Sequence, residues 1–155
     1  MDPNSDFLSP GERAALVAVS NYEWLPSVQN VVAALDCKVH VAGDHAEFLQ
    51  RFHAGQYTFI VMDESFGAAT PAENASLQFL QRLGMNHRRH ATVLLLGAGF
   101  QTLAPWQAYQ HSVNAVVNQQ DIPSLGQILR MVEADNNAFL APYRDVQQRI
   151  IHGEA

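Results

Sequence analysis

The chain has 155 residues, is 48% hydrophobic and carries a formal net charge of −6, the profile of one globular domain that buries about two thirds of its unfolded surface. The negative balance disfavours capture of nucleic acid, and no apolar run reaches the roughly 20 residues that a membrane helix needs. Cys37 is the single cysteine, so no internal disulfide forms and a reducing cytoplasm is the expected compartment. The segment Met1 to Pro10 is acidic and lacks the basic-then-apolar layout of a signal peptide.

Five apolar runs alternate with segments of helical period. Ala14 to Val19 is the first strand and stops at Ser20-Asn21. Pro26 suits the first turn of a helix that places Val28, Val31, Val32 and Leu35 on one face. Val39 to Ala42 is a short second strand, and Gly43-Asp44 is a turn and helix cap. A second helix follows from His45 to Gly55, with Phe48, Leu49 and Phe52 inward. Tyr57 to Met62 is the most hydrophobic strand and runs into Asp63. The Gly/Ala/Pro-containing segment Glu64 to Ala72 is expected to be a mobile loop, and Asn74 to Leu83 a third helix.

Thr92 to Leu96 is the fourth strand, halted by Gly97-Ala98-Gly99. A fourth helix with Leu103, Trp106, Tyr109 and Val113 near one face precedes the fifth strand, Ala115 to Val117. Buried packing is the expectation for Trp106 and Tyr109; exposed, they would be interface anchors. Ser124 to Val132 closes the pattern as a fifth helix. Near-continuous aliphatic strands require a sheet covered on both faces, hence parallel strands with right-handed crossovers. The fold class is α/β: a doubly wound, flavodoxin-like sheet of five parallel strands in a (βα)5 order, with an extra C-terminal helix.

The division expected is a domain over 1–135 and a helical extension over 136–155. Phe139, Tyr143, Val146 and Ile150 recur at four, three and four. Pro142 predicts a break near Asn136-Asn137 and a short final helix. The stripe either packs back onto the domain, forms a dimer seam, or links to an output segment.

In a parallel doubly wound sheet, sites lie outside the carboxyl ends of the strands, which here are Ser20-Asn21, Asp63, Gly97 and Asn118. With five β-α units over Leu16 to Val132 and an aspartate after the third strand, the chain resembles a response-regulator receiver domain. That resemblance implies phosphoryl transfer from a phosphohistidine to Asp63. It also implies two acidic residues at the end of strand one to hold a divalent cation; Ser20 and Asn21 stand there instead, with Glu23 as the nearest carboxylate. The family's strand-five lysine falls on Asn118, and the only lysine of the chain is Lys38. An amide donates a hydrogen bond but does not neutralise charge. The hydroxyl of strand four and the switching aromatic of strand five fall on Gly97 and Ala115. The chain therefore resembles a degenerate, or pseudo-, receiver.

This implies a non-catalytic cytoplasmic signalling module with no cofactor and no metal. Its partner would be another signalling protein or a second copy, met through a surface that includes Trp106, Tyr109, Tyr143 and Ile150, with no nucleic acid and no membrane. Alternatives are an atypical receiver still phosphorylated on Asp63, and a small-ligand sensor using the Gly97–Gly99 and Asn118 crevice. For Asp63 itself the plainer reading is a carboxylate capping backbone N–H groups of the next loop. Trp24 is placed to fill the space of a hydrated metal, and a crevice plugged by Trp24 or Tyr22 would count against the small-ligand reading. His87 and His90 flank Arg88-Arg89, cationic neighbours that make a solvated loop the better reading than a metal site. Cys37 reads as a packed thiol.

Overall fold

The computed structural model describes residues 11–83, 88 and 91–151. Strands β1 (Ala14–Ala18), β2 (Lys38–Val41), β3 (Phe59–Asp63), β4 (Thr92–Gly97) and β5 (Ala115–Asn118) form one sheet in the order β2-β1-β3-β4-β5. Every neighbouring pair is parallel. Helices α1 (Leu25–Ala33), α2 (His45–Ala54), α3 (Ala75–Arg82), α4 (Pro105–His111) and α5 (Leu125–Ile151) make the crossovers and the closing layer. Short 3-10 turns at Pro71–Glu73 and Gln119–Ser124 lead into α3 and α5.

The aliphatic strands feed two cores, because successive side chains point to opposite faces. Ala15 and Val17 of β1 join Val28, Val32, Leu125 and Leu129 under α1 and α5. Ala14, Leu16 and Ala18 join Phe48, Leu77, Leu80 and Ala108 under α2, α3 and α4. β1, β3 and β4 are buried along their whole length. The helix starts are chemically marked: the Asp44 carboxylate accepts from Glu47 N–H at 2.8 Å, and the Asn74 side chain accepts from Leu77 N–H at 3.0 Å. Pro105 opens α4, where a missing N–H costs nothing.

Three local expectations are corrected. First, α5 runs unbroken through Asn136-Asn137 and Pro142. Proline at this point removes the bond to the Ala138 carbonyl and crowds it, and Ala138, Ala141 and Pro142 are exposed, a setting in which the freed acceptor is open to solvent. Second, Trp106 and Tyr109 are not core residues: they are 73% and 75% exposed. α4 has only seven residues and presents Ala108 to the sheet; the small side chain lets the backbone approach and turns the aromatic side outward. Third, the segment after β3 is anchored rather than loose, for Phe66 is fully buried. His87, Arg89 and His90 lie outside the described residues, as does the side chain of Tyr143. No helix among the described residues is long and apolar enough to cross a membrane.

Candidate functional site

The carboxyl ends of the strands bring Ser20, Asn21, Asp63, Gly97 and Asn118 to one edge of the sheet. Asp63 is the last residue of β3, opposite Leu96, while Gly97 pairs in register with Asn118. The Asp63 side chain is buried and accepts from Ser65 N–H at 3.1 Å. Backbone N–H groups of Ser20 and Asn21 also bond to it. Burial nevertheless pushes its carboxyl above the ordinary carboxylate range, the hydrogen bonds from Ser65, Ser20 and Asn21 opposing that rise.

Glu64 is the unexpected member of the site. Its N–H donates to the Leu96 carbonyl at 2.9 Å, which holds the residue across the end of β4. Its side chain then lies over Gly97: a Cβ built there would stand 2.5 Å from Oε1 and 2.6 Å from Cδ of Glu64. The volume that a hydroxyl-bearing residue would take at position 97 thus holds a carboxylate. Burial first, and the neighbouring Asp63 charge second, raise the Glu64 carboxyl as well.

Both shifts have the same consequence for folding. Because the folded values lie above the unfolded ones, the associated stability is fully present below the ordinary carboxylate range, at about pH 4. It is lost as pH rises through the raised folded values. Asp63→Asn keeps an oxygen acceptor for the three N–H groups and removes the buried charge. The variant is therefore expected to gain stability relative to the wild type as pH rises from about 4 towards 7. Thermal melts across that range check this, and parallel pH profiles for the two chains would contradict it.

Ser20 and Asn21 are engaged in building loops. The Ser20 hydroxyl accepts from Gly67 N–H at 3.1 Å. The Asn21 side chain accepts from Glu23 N–H at 2.9 Å and Trp24 N–H at 3.3 Å, starting the turn into α1. Glu23 is exposed in that turn. Trp24 packs against the core beneath α1, and Tyr22 is 88% exposed. The space beside Gly97 is taken by the Glu64 side chain and the edge of Phe100, and neither Trp24 nor Tyr22 supplies an atom among those nearest to it. Among the described residues no group of three or more His, Cys, Asp or Glu is placed to hold a metal.

No family model and no curated protein matches the chain. Solved structures do. The receiver domain of a Francisella response regulator aligns with a TM-score of 0.62 at 17% identity, over 80% of this chain and 98% of that one. A Burkholderia pseudomallei response regulator, solved with a phosphorylated aspartic acid, calcium ion and citrate, gives 0.59 at 17% over 93% and 88%. An orphan response regulator of H. pylori gives 0.59 at 10% over 79% and 98%. The chain has the receiver fold.

Within the receiver fold, Asn118 stands at the end of β5 and acts as a clasp. Its Nδ2 donates to the carbonyls of Phe100 at 2.8 Å and Ala98 at 3.2 Å. Its Oδ1 accepts from Gln120 N–H at 2.9 Å, and its own N–H donates to the Thr102 hydroxyl at 2.9 Å. One amide therefore ties the β4–α4 loop to the start of the next turn. Lys38 opens β2, an edge strand, at the end of the sheet away from this crevice. Ala115 is buried at the start of β5. Arg88 reaches the carbonyls of Leu80 and Ser112 instead, and burial lowers its guanidinium from the usual value. Cys37 is buried, which raises its thiol and suits the packed reading.

Three residues that the sequence did not single out hold the loop after β3. Asn74, fully buried, donates to the carbonyls of Asp63 at 3.2 Å and Glu64 at 3.1 Å while capping α3. His45 lies 2.7 Å from the Ser76 hydroxyl through Nδ1, which also accepts from Ser76 N–H; its ring meets Phe66 edge-on at 5.2 Å. Gly67 has φ +61, and a Cβ there would meet His45 Nε2 at 2.7 Å. Only the Asn74 role had a local signal, a capping residue before a helical run. A cavity of about 660 Å³ lies between α4 and α5, and one of about 470 Å³ lies beside His40 and Tyr57; neither is lined by Asp63, Gly97 or Asn118.

Proposed function

We propose that this chain is a pseudo-receiver: a non-catalytic signalling module that acts through protein–protein contact and not through Mg-dependent phosphorylation of Asp63. The observation that carries this reading is the Glu64 carboxylate lying over Gly97 beside Asp63. Phosphoryl transfer to a carboxylate brings two anionic groups together, and it depends on cations placed where that charge develops. Here the neighbour of the acceptor is a second carboxylate. Asn118, at the position of the family's lysine, is engaged with three backbone groups.

The same arrangement supports a crevice with one resting state. Gly97 has no side chain to swing, and alanine at 115 has no rotamer to change. Signalling would then be set by whether a partner is present, not by a phosphate-driven population shift. The module needs no cofactor, and a reducing cytoplasm suits its lone buried thiol.

The test is an NMR titration with Mg²⁺ and beryllofluoride or acetyl phosphate. The amide resonances of Asp63 to Gly67 and Gly97 to Thr102 are expected to stay in place. Saturable shifts there, lost in Asp63→Ala, would overturn the proposal and establish an atypical phosphoacceptor.

A further inference from the structure

The cavity of about 660 Å³ between α4 and α5 falls within the roughly 300–1,000 Å³ range of small-molecule sites. Its floor is built of small side chains. Ala91, Ala108 and Ala115 are buried there, and Ala104, four residues before Ala108, lines it from the start of α4. Four methyl groups leave open the space that longer side chains would fill. The walls are apolar and wet: Met131 and Phe139, on one ridge of α5, are 45% and 76% exposed, and Leu103 on the α4 side is 38% exposed. Leu103 is held at φ +63, a left-handed backbone that is strained for a residue with a Cβ. Its N–H is tied to the Val116 carbonyl at 2.9 Å. Strain of this kind gathers at ligand clamps.

One side of the cavity comes from Ala91 to Gln120, thirty residues without a single Asp, Glu, Lys or Arg. Among the described residues two charged side chains line it, Arg88 and Asp135. Asp135 is exposed and keeps its charge in water. Arg88 is partly buried. Its Nη1 donates to the Leu80 carbonyl at 3.2 Å and its Nη2 to the Ser112 carbonyl at 2.5 Å, which leaves three of its five N–H groups. Among the described residues no carboxylate pairs with it. Burial lowers its guanidinium from the usual value. A cation taken out of water without a counter-charge gains from an anion placed beside it. Asn114 stands on the same cavity. Its Oδ1 accepts from Val93 N–H at 2.8 Å, so its Nδ2 hydrogens are the part of the amide available to a ligand oxygen.

We propose that the α4–α5 cavity binds a small anionic amphiphile, a carboxylic acid carrying an apolar chain or ring system. The apolar body lies on the four alanines between Leu103, Met131 and Phe139. The carboxylate takes the remaining N–H groups of Arg88 and the Nδ2 of Asn114. The site goes beyond the reading of Asp63 and does not depend on it, since neither Asp63, Gly97 nor Asn118 lines the cavity.

Decanoate and its uncharged counterpart decanol, titrated into the whole chain up to about 1 mM and followed by amide NMR, test both halves of the site. Decanoate is expected to bind saturably and to shift the amides of Leu103, Ser112 to Ala115 and Met131 to Leu140. Decanol should bind about tenfold more weakly, the loss that goes with a charge-assisted hydrogen bond. Arg88→Gln should abolish that preference. Ala104→Leu, at a partly buried position, should weaken acid and alcohol alike by more than about tenfold with an unchanged far-UV spectrum. Should Arg88→Gln fail to fold, the acid–alcohol comparison on the wild type and the Ala104→Leu variant still decide. No saturable binding of either probe would overturn the proposal, as would equal affinities for both in the wild type, or shifts confined to another part of the chain. Attachment to phosphatidylglycerol vesicles without binding of free decanoate would also overturn it and assign the surface to a membrane.

Discussion

Phe66→Ala is expected to lower the unfolding free energy by about 3–5 kcal/mol, because it deletes a fully buried aromatic and leaves a cavity behind. The ring sits among Phe48, Met62, Leu77 and the other members of the core beneath α2, α3 and α4, with His45 edge-on against it. It is also the anchor of the loop that leaves the Asp63 site. Phe66 N–H donates to the Asp63 carbonyl at 3.0 Å, and the next residue, Gly67, turns with a positive φ against His45 and bonds the Ser20 hydroxyl. Removing the ring therefore releases the backbone that shapes the crevice as well as emptying the core. Urea denaturation monitored at two wavelengths measures the loss. A change below about 1 kcal/mol would mean that the loop is not part of the cooperative core. At this chain length each kcal/mol corresponds to a fall of about 2–4 °C in the thermal midpoint.

Asn74→Ala should cost about 2–4 kcal/mol for a different reason. No large volume is lost; three backbone groups lose a hydrogen bond, and of these the Asp63 carbonyl keeps the one from Phe66 N–H. The carbonyls of Asp63 and Glu64 and the N–H of Leu77 all bond to this one buried amide. Asn74→Asp separates the contributions, since a carboxylate still caps Leu77 but cannot donate to the two carbonyls. The aspartate variant should therefore recover only part of the loss, and full recovery would show that the helix cap alone matters. Hydrogen exchange at Leu77 provides a second reading: its amide should exchange faster in the alanine variant and stay protected in the aspartate one.

Together these two residues explain why Asp63 stands where it does. The loop after β3 is held by a ring in the core and an amide beneath the backbone. That brings Glu64 across the end of β4 and its carboxylate over Gly97. The local chemistry at this edge is one of two adjacent carboxyl groups, each with its acid range raised by burial. Ser20, Asn21 and Asn118 are turned to the backbone of neighbouring loops.

The architecture was legible from the residues because the information for it is local. Aliphatic runs such as Ala14 to Val19 and Thr92 to Leu96 can only be strands buried on both faces. The helix caps at Asp44 and Asn74 lie within three residues of the N–H groups that they satisfy. The gathering of Ser20, Asn21, Asp63, Gly97 and Asn118 at one edge follows from a parallel sheet, whose strand ends all point the same way.

Features that depend on distant residues were not legible. The loop from Glu64 to Ala72 has the composition of a mobile segment, and Phe66 anchors it only because α2 and α3 provide a slot for the ring. Pro142 carries a strong local breaking signal, yet α5 passes through it at a point where Ala138, Ala141 and Pro142 are all exposed. Trp106 and Tyr109 share a helical face with apolar neighbours, and Ala108 decided which face met the sheet. By itself, then, the sequence determined the doubly wound sheet, the position of Asp63 and the absence of charge at Ser20, Asn21, Gly97, Ala115 and Asn118. Tertiary structure decided that a glutamate lies over Gly97 and that the aromatic side of α4 and the end of α5 are exposed. Period and capping act over a few residues, whereas which surface is covered depends on segments far apart in the chain.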